Sequence, residues 1–346
     1  MLAAVTFPLI WVGGLVTTYD AGMSVPDWPG TYGYNLLLYP VETWIAGPWD
    51  LFIEHGHRLL GVVAGTLNIA LVVAVYLGDQ RVWMRHFSVW ALVAVTLQGC
   101  LGGFRVLLDD RQLAMIHGCA GPAFFGVCVA LCVVTSRTWK AAGRPVARNR
   151  RGRASDSISD TISDATSRTS KTALQVGTLP VWTMAMLAAS YVQLVLGAVM
   201  RHVPVTATPG FFAWTVYGHL IVAGIVLALA IAIAWLVIRG GKQLARWRSL
   251  ANSLAILIVI QLLLGCATWV VNYYWPGWVP EWSWTARYPM IEAKGWLQTM
   301  VVTAHQAMGS LIGGVSVWLM LSVYRQAHFQ WAFDPASEAL AGGAAA

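Results

Sequence analysis

Four histidines stand at equivalent places along this chain, and their setting defines the chemistry to be explained. His57, His117, His219 and His305 each open an apolar stretch; a glycine follows four residues on at Gly61, Gly121 and Gly309, and five on at Gly224. A histidine inside a membrane-spanning segment is costly and marks function more often than packing. Four in register strengthen that reading, because two per half of the chain can face each other across a helix bundle, where cofactors are held by facing side chains. Zinc asks for three or four N, S or O ligands close together, and each half offers two histidines without a Cys–His cluster. Copper held by histidine with Met115 or Met308 lacks a recognisable spacing. Two imidazoles from different helices, on opposite faces of a haem, suit the pattern. A glycine one turn below the ligand would leave room for the porphyrin. One haem per half is the expectation; no pair is spaced to stack on one helix as in respiratory cytochromes b.

The halves are not equivalent. In the run Glu54-His55-Gly56-His57-Arg58, Glu54 and His57 are three apart and share a helix face. An ionisable carboxylate beside a metal ligand in a membrane is a functional candidate. The competing reading is a helix N-terminus, where acidic residues are favoured. The matching run, Trp214-Thr-Val-Tyr217-Gly-His219, has no acid. One half therefore reads as built for chemistry and the other for electron transfer. Blander roles fall to His86 and His328 (interfacial), to His55 (off the Glu54/His57 face), and to Gln98, Gln193 and Gln261 (interhelical hydrogen bonds). Asp27 and Trp28 read as shaping an outer turn.

The elements that must position these residues are membrane helices. Of 346 residues, 58% are hydrophobic and 11% charged, with 19 Trp, whereas soluble domains run near 25% charged. Disorder and a disulfide-stapled module are excluded by the same arithmetic. The net charge of +7 does not signal nucleic acid, since nine of the 22 Lys and Arg fall in Arg137–Lys171, a run between apolar segments. Spans of about 20 apolar residues are expected at 2–18, 52–77, 87–107, 113–136, 179–200, 214–238, 250–272 and 297–323. The first has no charged leader or cleavage site and is kept as a helix; no mitochondrial presequence is seen, which favours a bacterial cytoplasmic membrane. Sixteen basic residues on one side against six on the other predict both termini in the cytoplasm. The histidines then lie near the outer face. Outer loops 19–51 and 273–296 are rich in Trp, Tyr, Pro and Gly and are expected to fold back as a lid. Stretch 148–172, rich in Ser, Thr, Asp and Arg, reads as a flexible tether. The predicted fold is all-α: eight transmembrane helices in two pseudo-symmetric four-helix bundles, 1–136 and 179–323, with a basic linker at 137–178 and a cytoplasmic tail at 324–346.

Internal repetition supports that division. Gln98-Gly-Cys-Leu-Gly102, Gln193-Leu-Val-Leu-Gly197 and Gln261-Leu-Leu-Leu-Gly265 recur in the odd helices, and the first has Gly13-Gly14-Leu-Val. With Ala21-Gly22, Pro26-Asp27-Trp28-Pro29, Glu54-x-x-His57-Arg58, Gln193-x-x-Leu-Gly197-Ala and Arg201-His202, these motifs make the chain resemble the haem A synthase family over all eight spans. The resemblance implies oxidation of the C8 methyl of haem O to a formyl group by successive hydroxylations and loss of water, giving haem A for terminal oxidases. It implies that His219 and His305 hold a haem b, that His57 and His117 bind the substrate haem O, and that Glu54 is the essential acid. It also brings in haem O synthase and cytochrome oxidase assembly proteins as partners, with membrane lipid around the chain. Two positions depart from the family pattern: Val25 stands where many bacterial members have the first of two loop cysteines, and Thr17 replaces a common arginine. Propionate contacts would then fall to Arg58, Arg105 or Arg201. The alternatives are a dihaem cytochrome b that only carries electrons and, less favoured by its polar residues lying at outer ends, a transporter.

Overall fold

In the computed structural model, residues 1–141, 160–204, 206–277 and 294–332 are described, without side chains at 160–177 and 327–332. Most of loop 273–296, the stretch 142–159 and the tail beyond residue 332 lie outside them. Eight long helices account for most of the described residues: α1 (Leu2–Thr18), α2 (Trp49–Gly78), α3 (Val82–Leu107), α4 (Arg111–Thr135), α5 (Asp160–Arg201), α6 (Pro209–Arg239), α7 (Arg248–Tyr273) and α8 (Trp296–Ala332). All but α1 are long and apolar enough to cross a membrane. The 17 residues of α1 span about 25 Å at 1.5 Å per residue, slightly under the hydrocarbon thickness. Its C-terminal end is followed by a 3₁₀ turn at Ala21–Met23.

Helix starts are set by local chemistry. The Asp110 carboxylate accepts from the amides of Gln112 and Leu113 at 2.6 and 2.9 Å and begins α4. Thr208 caps α6 through the Phe211 amide at 3.2 Å, with Pro209 in the first turn, where its missing N–H costs nothing. One expectation needs correcting: residues 160–172 are helical, continuous with the span of α5. Between Asp160 and Val176 there is no Gly or Pro, so nothing stops the helix of the span from propagating backwards.

Each half closes as a ring of four helices. Helix α1 packs on α2, α2 on α3, α3 on α4 and α4 on α1; α5 to α8 repeat the same circuit. Helices α2 and α4, and likewise α6 and α8, are therefore diagonal partners across a bundle. Met84, Cys128 and Leu131 lie in the core of the first bundle, and Met186, Ile233 and Leu254 in that of the second. The halves meet where α8 packs on α1 and α4: Phe125 fills the space over Gly314, whose added methyl would stand 2.7 Å from its ring. Close backbone approach at small residues is how helices adhere in lipid, where apolar side chains gain little by leaving it. Val89, Trp90, Val93 and Leu97 on α3 face outward, as a lipid-facing stripe should.

Candidate haem sites and the acidic half

Every one of the four histidines rests on a glycine of the odd helix that precedes it. A methyl added to Gly13 would stand 2.8 Å from the His57 ring, and one on Gly102 2.9 Å from His117; the corresponding distances are 3.3 Å for Gly197 with His219 and 3.2 Å for Gly265 with His305. The repeated unit is thus a helix hairpin whose odd arm supplies a backbone seat and whose even arm supplies the imidazole. Any larger residue in the seat would push the ring into the bundle.

The seat also orients the ring. His117 Nδ1 lies 3.1 Å from the carbonyl of Gln98, four residues before Gly102. A carbonyl only accepts, so Nδ1 carries the proton and Nε2 keeps its lone pair for a metal. The equivalent carbonyls of Leu9, Gln193 and Gln261 face His57, His219 and His305, although those three Nδ1 atoms stay outside hydrogen-bonding geometry.

Diagonal helices then bring the rings opposite each other, with their planes 84° apart in the first pair and 62° apart in the second. The centroids of His57 and His117 are 6.4 Å apart, and those of His219 and His305 are also 6.4 Å apart. Two imidazoles on opposite sides of one metal, each about 2 Å from it, would have centroids roughly 6 Å apart. Both pairs fit an axially ligated haem iron. Among the described residues no three His, Cys, Asp or Glu side chains converge as a closed zinc site needs. The glycines one turn below the histidines differ from expectation. Gly61 and Gly224 border open space, but Gly121 and Gly309 are covered by the amides of Gln98 and Gln261. Gln98 Nε2 also donates to the His117 carbonyl at 2.9 Å, the interhelical bond expected of it.

Among the described residues, only the first pair of histidines has an acid beside it. Glu54 is 2% exposed. Its Oε1 accepts from Arg58 Nη2 at 3.0 Å and lies 3.8 Å from Arg105 Nη2, whereas Oε2 is buried without a hydrogen-bond partner. Helix α2 begins at Trp49, so Glu54 sits in its second turn, too deep to cap the helix; Asp50 holds the first turn instead. The residues matching Glu54, three before each histidine, are Ala114, Val216 and Val302.

Arg58, a candidate propionate contact, is committed elsewhere. Nη1 donates to the carbonyls of Asp27 and Gly30 at 2.6 and 2.8 Å, and Nη2 to that of Val25 at 2.7 Å. It clamps the loop between α1 and α2 over the first bundle. His55, buried and 3.0 Å from the Thr31 hydroxyl, is a second clamp, packed by Tyr39 and Trp44. Asp27 shapes the turn by accepting from the amides of Tyr32 and Gly33 at 2.7 and 2.9 Å. Burial alone would raise its pKa, but these amides outweigh it and hold the carboxyl below its usual value. The Trp28 indole lies against the bare Cα of Gly103, next to the seat of His117.

Arg105, on α3, keeps its buried Nε without a partner. Arg201 bridges the halves: its guanidinium bonds the Thr18 hydroxyl and the Gly14 carbonyl on α1 and the Gln306 side chain on α8. All five cysteines are free and lie in helices, and Val25 is fully buried under the loop. Reading the sequence singled out the four histidines and Glu54 but missed the glycine seats. Their signal was present, since the odd-helix glycines recur in step with the histidines.

A 124-residue stretch is 32% identical to the heme A synthase of Rhodopseudomonas palustris strain BisA53, covering 34% of each chain. A 139-residue stretch is 24% identical to the heme A synthases of Listeria monocytogenes serotype 4a and Listeria innocua serovar 6a, covering 40% of this chain and 43% of theirs. The likeness is to heme A synthases. The aligned stretches span 34% and 43% of those heme A synthases' own lengths. No family model matches the chain.

Proposed function

We propose that this chain oxidises the C8 methyl of haem O to the formyl group of haem A, binding haem O between His57 and His117 and a resident haem b between His219 and His305. One observation carries the assignment of halves: Glu54 presents a buried, unpartnered Oε2 within a turn of His57, while Val216 occupies the matching place before His219. Both histidine pairs have the spacing for an axially ligated haem. The likeness to heme A synthases supports haem A as the product, and the family resemblance of the motifs implies haem O as the substrate.

The residues divide the work as follows. His57 and His117 orient the substrate iron, and their glycine seats fix the ring planes. The loop held by Arg58 and His55 covers the first bundle and limits water. Glu54 Oε2 accepts a proton from the water that adds to the oxidised methyl carbon, with Arg58 and Arg105 holding the carboxylate in place. Two hydroxylations give a geminal diol, which loses water to the aldehyde; with water as oxygen source, each releases two protons and two electrons to an external acceptor. Arg105, with its free Nε, is the arginine best placed for a propionate. The haem b supplies one-electron transfer when bound. The histidine end faces outward and the basic end, with both termini, the cytoplasm of a bacterial cell.

The test is acid extraction of haems from the chain co-expressed with a haem O source, for wild type and Glu54→Gln. The wild type should yield haem A or its hydroxylated intermediate beside haem B, and the variant unchanged haem O with normal haem B. Normal product from the variant would remove Glu54 from the chemistry. The equal spacing of the two histidine pairs favours one other reading, a dihaem electron carrier; haem B with unaltered haem O in the folded wild type would establish it.

A further inference from the structure

The end of the molecule remote from the histidines carries a pocket with no part in haem chemistry. About 30 Å of α2, at 1.5 Å per residue, separates His57 from it. It lies between the α2–α3 turn, the short helix Arg137–Ala141 and the end of α8. Its volume is about 880 Å³, and its walls include Asp79, Arg81, Trp83, Trp139, Lys140 and Arg325.

The charges do not cancel. Arg81 donates to the Asp79 carboxylate from Nε at 2.9 Å and Nη2 at 2.6 Å, and to the Val134 carbonyl from Nη1 at 2.9 Å. Those Arg81 hydrogen bonds hold the Asp79 carboxyl down at about 2, so this pair stays ionised and neutral overall at physiological pH. Two cations are left over. The Lys140 ammonium has no hydrogen bond or ion pair among the described residues, and its side chain is exposed. The Arg325 guanidinium lies 5.2 Å from the Trp139 ring centroid, and its buried Nε has no acceptor. Trp83 backs Arg81 in the same way at 4.9 Å. Indoles settle at the headgroup layer of a bilayer, and here two of them flank uncompensated positive charge where the apolar part of α2 ends.

We propose that this pocket seats the phosphodiester of an anionic phospholipid from the leaflet it opens to. Arg325 offers a fork of donors over an indole, and Lys140 a point charge on a flexible stem. A basic pocket between helices at such a depth selects anionic headgroups. A zwitterionic lipid brings its own ammonium to the same two cations and is disfavoured. The inference does not rest on the haem reading.

The experiment is native mass spectrometry of the purified full chain from micelles doped with equal amounts of phosphatidylglycerol and phosphatidylcholine. Wild type should retain one phosphatidylglycerol preferentially. Each cation removed should weaken retention by about fivefold, so Arg325→Gln should be intermediate and the double variant Lys140→Gln/Arg325→Gln near the phosphatidylcholine level. Both variants are checked for unchanged size-exclusion elution and far-UV circular dichroism, which report folding independently of any haem. Equal retention of the two lipids by wild type, or undiminished preference in both variants, overturns the proposal. Displacement of the bound lipid by inorganic phosphate at equal concentration also overturns it, making the site one for a soluble anion.

Discussion

The two bundles hold their histidines in the same way and surround them differently. Both pairs sit on backbone seats with centroids 6.4 Å apart. Around His57 and His117 stand Glu54, Arg58, Arg105 and a clamped loop; three residues before His219 and His305 stand only Val216 and Val302. The position after the histidine tells the same story. Arg58, next to His57, is matched by Leu220 next to His219, while Gly118 next to His117 is matched by Gln306 next to His305, which faces the Arg201 seam between the bundles. On the proposed function, the repeat sets where a haem would be held, and the residues beside one copy set where it would be changed. The first pair is also seated more tightly, with 2.8 and 2.9 Å to a would-be methyl against 3.3 and 3.2 Å in the second.

The largest effect expected from breaking this comparison is at Glu54. Glu54→Gln should lower product formation at least 100-fold, on the scale of losing a general base, while haem B content stays at the wild-type level. The glycine seats come next. Gly13→Ala and Gly102→Ala should displace their imidazoles and abolish haem O binding, seen as loss of its contribution to the reduced-minus-oxidised spectrum. Gly197→Ala and Gly265→Ala need their rings to move by only a few tenths of an ångström and should keep haem B. Equal losses in both halves would erase the distinction in seating.

A smaller effect is expected at the clamp. Arg58→Ala leaves the carbonyls of Val25, Asp27 and Gly30 without their donor and should loosen the loop by about 3 kcal/mol. Faster proteolysis at residues 25–40, with the second bundle's haem B unaffected, would show it. The smallest is a pH effect at Asp27. Its folded pKa is depressed, so its contribution to holding the loop is complete above the unfolded carboxylate value and fades as pH falls below about 4. Protection of the loop should fall in that range in wild type and show no such step in Asp27→Asn.

How much of this was legible in the sequence depended on the length scale of the signal. Hydropathy placed the spans within a few residues, because each must cross the same hydrocarbon thickness. It placed the start of α3 at 87 instead of Val82, since Arg85 and His86 lie outside the apolar stretch yet inside the helix. The histidines and Glu54 stood out because polar groups in lipid are costly. The seats were harder to see: a glycine in a membrane helix has many uses, and only the structure shows an imidazole lying on it. The loop-holding role of Arg58 was missed for a related reason. Its neighbours in space, the carbonyls of a loop some thirty residues earlier, leave no trace in side-chain patterns. The same is true of His55, whose off-face position was correct but whose partner Thr31 lies across the loop turn.

The central claim, that the second bundle keeps a resident haem and the first receives the one to be changed, is tested most directly by haem B content in two double variants. His219→Ala/His305→Ala and His57→Ala/His117→Ala would be purified from cells lacking haem O and compared by pyridine haemochrome spectra. The account predicts that the first variant loses haem B and the second retains it at the wild-type level. Haem B lost from the second variant and kept by the first would contradict it.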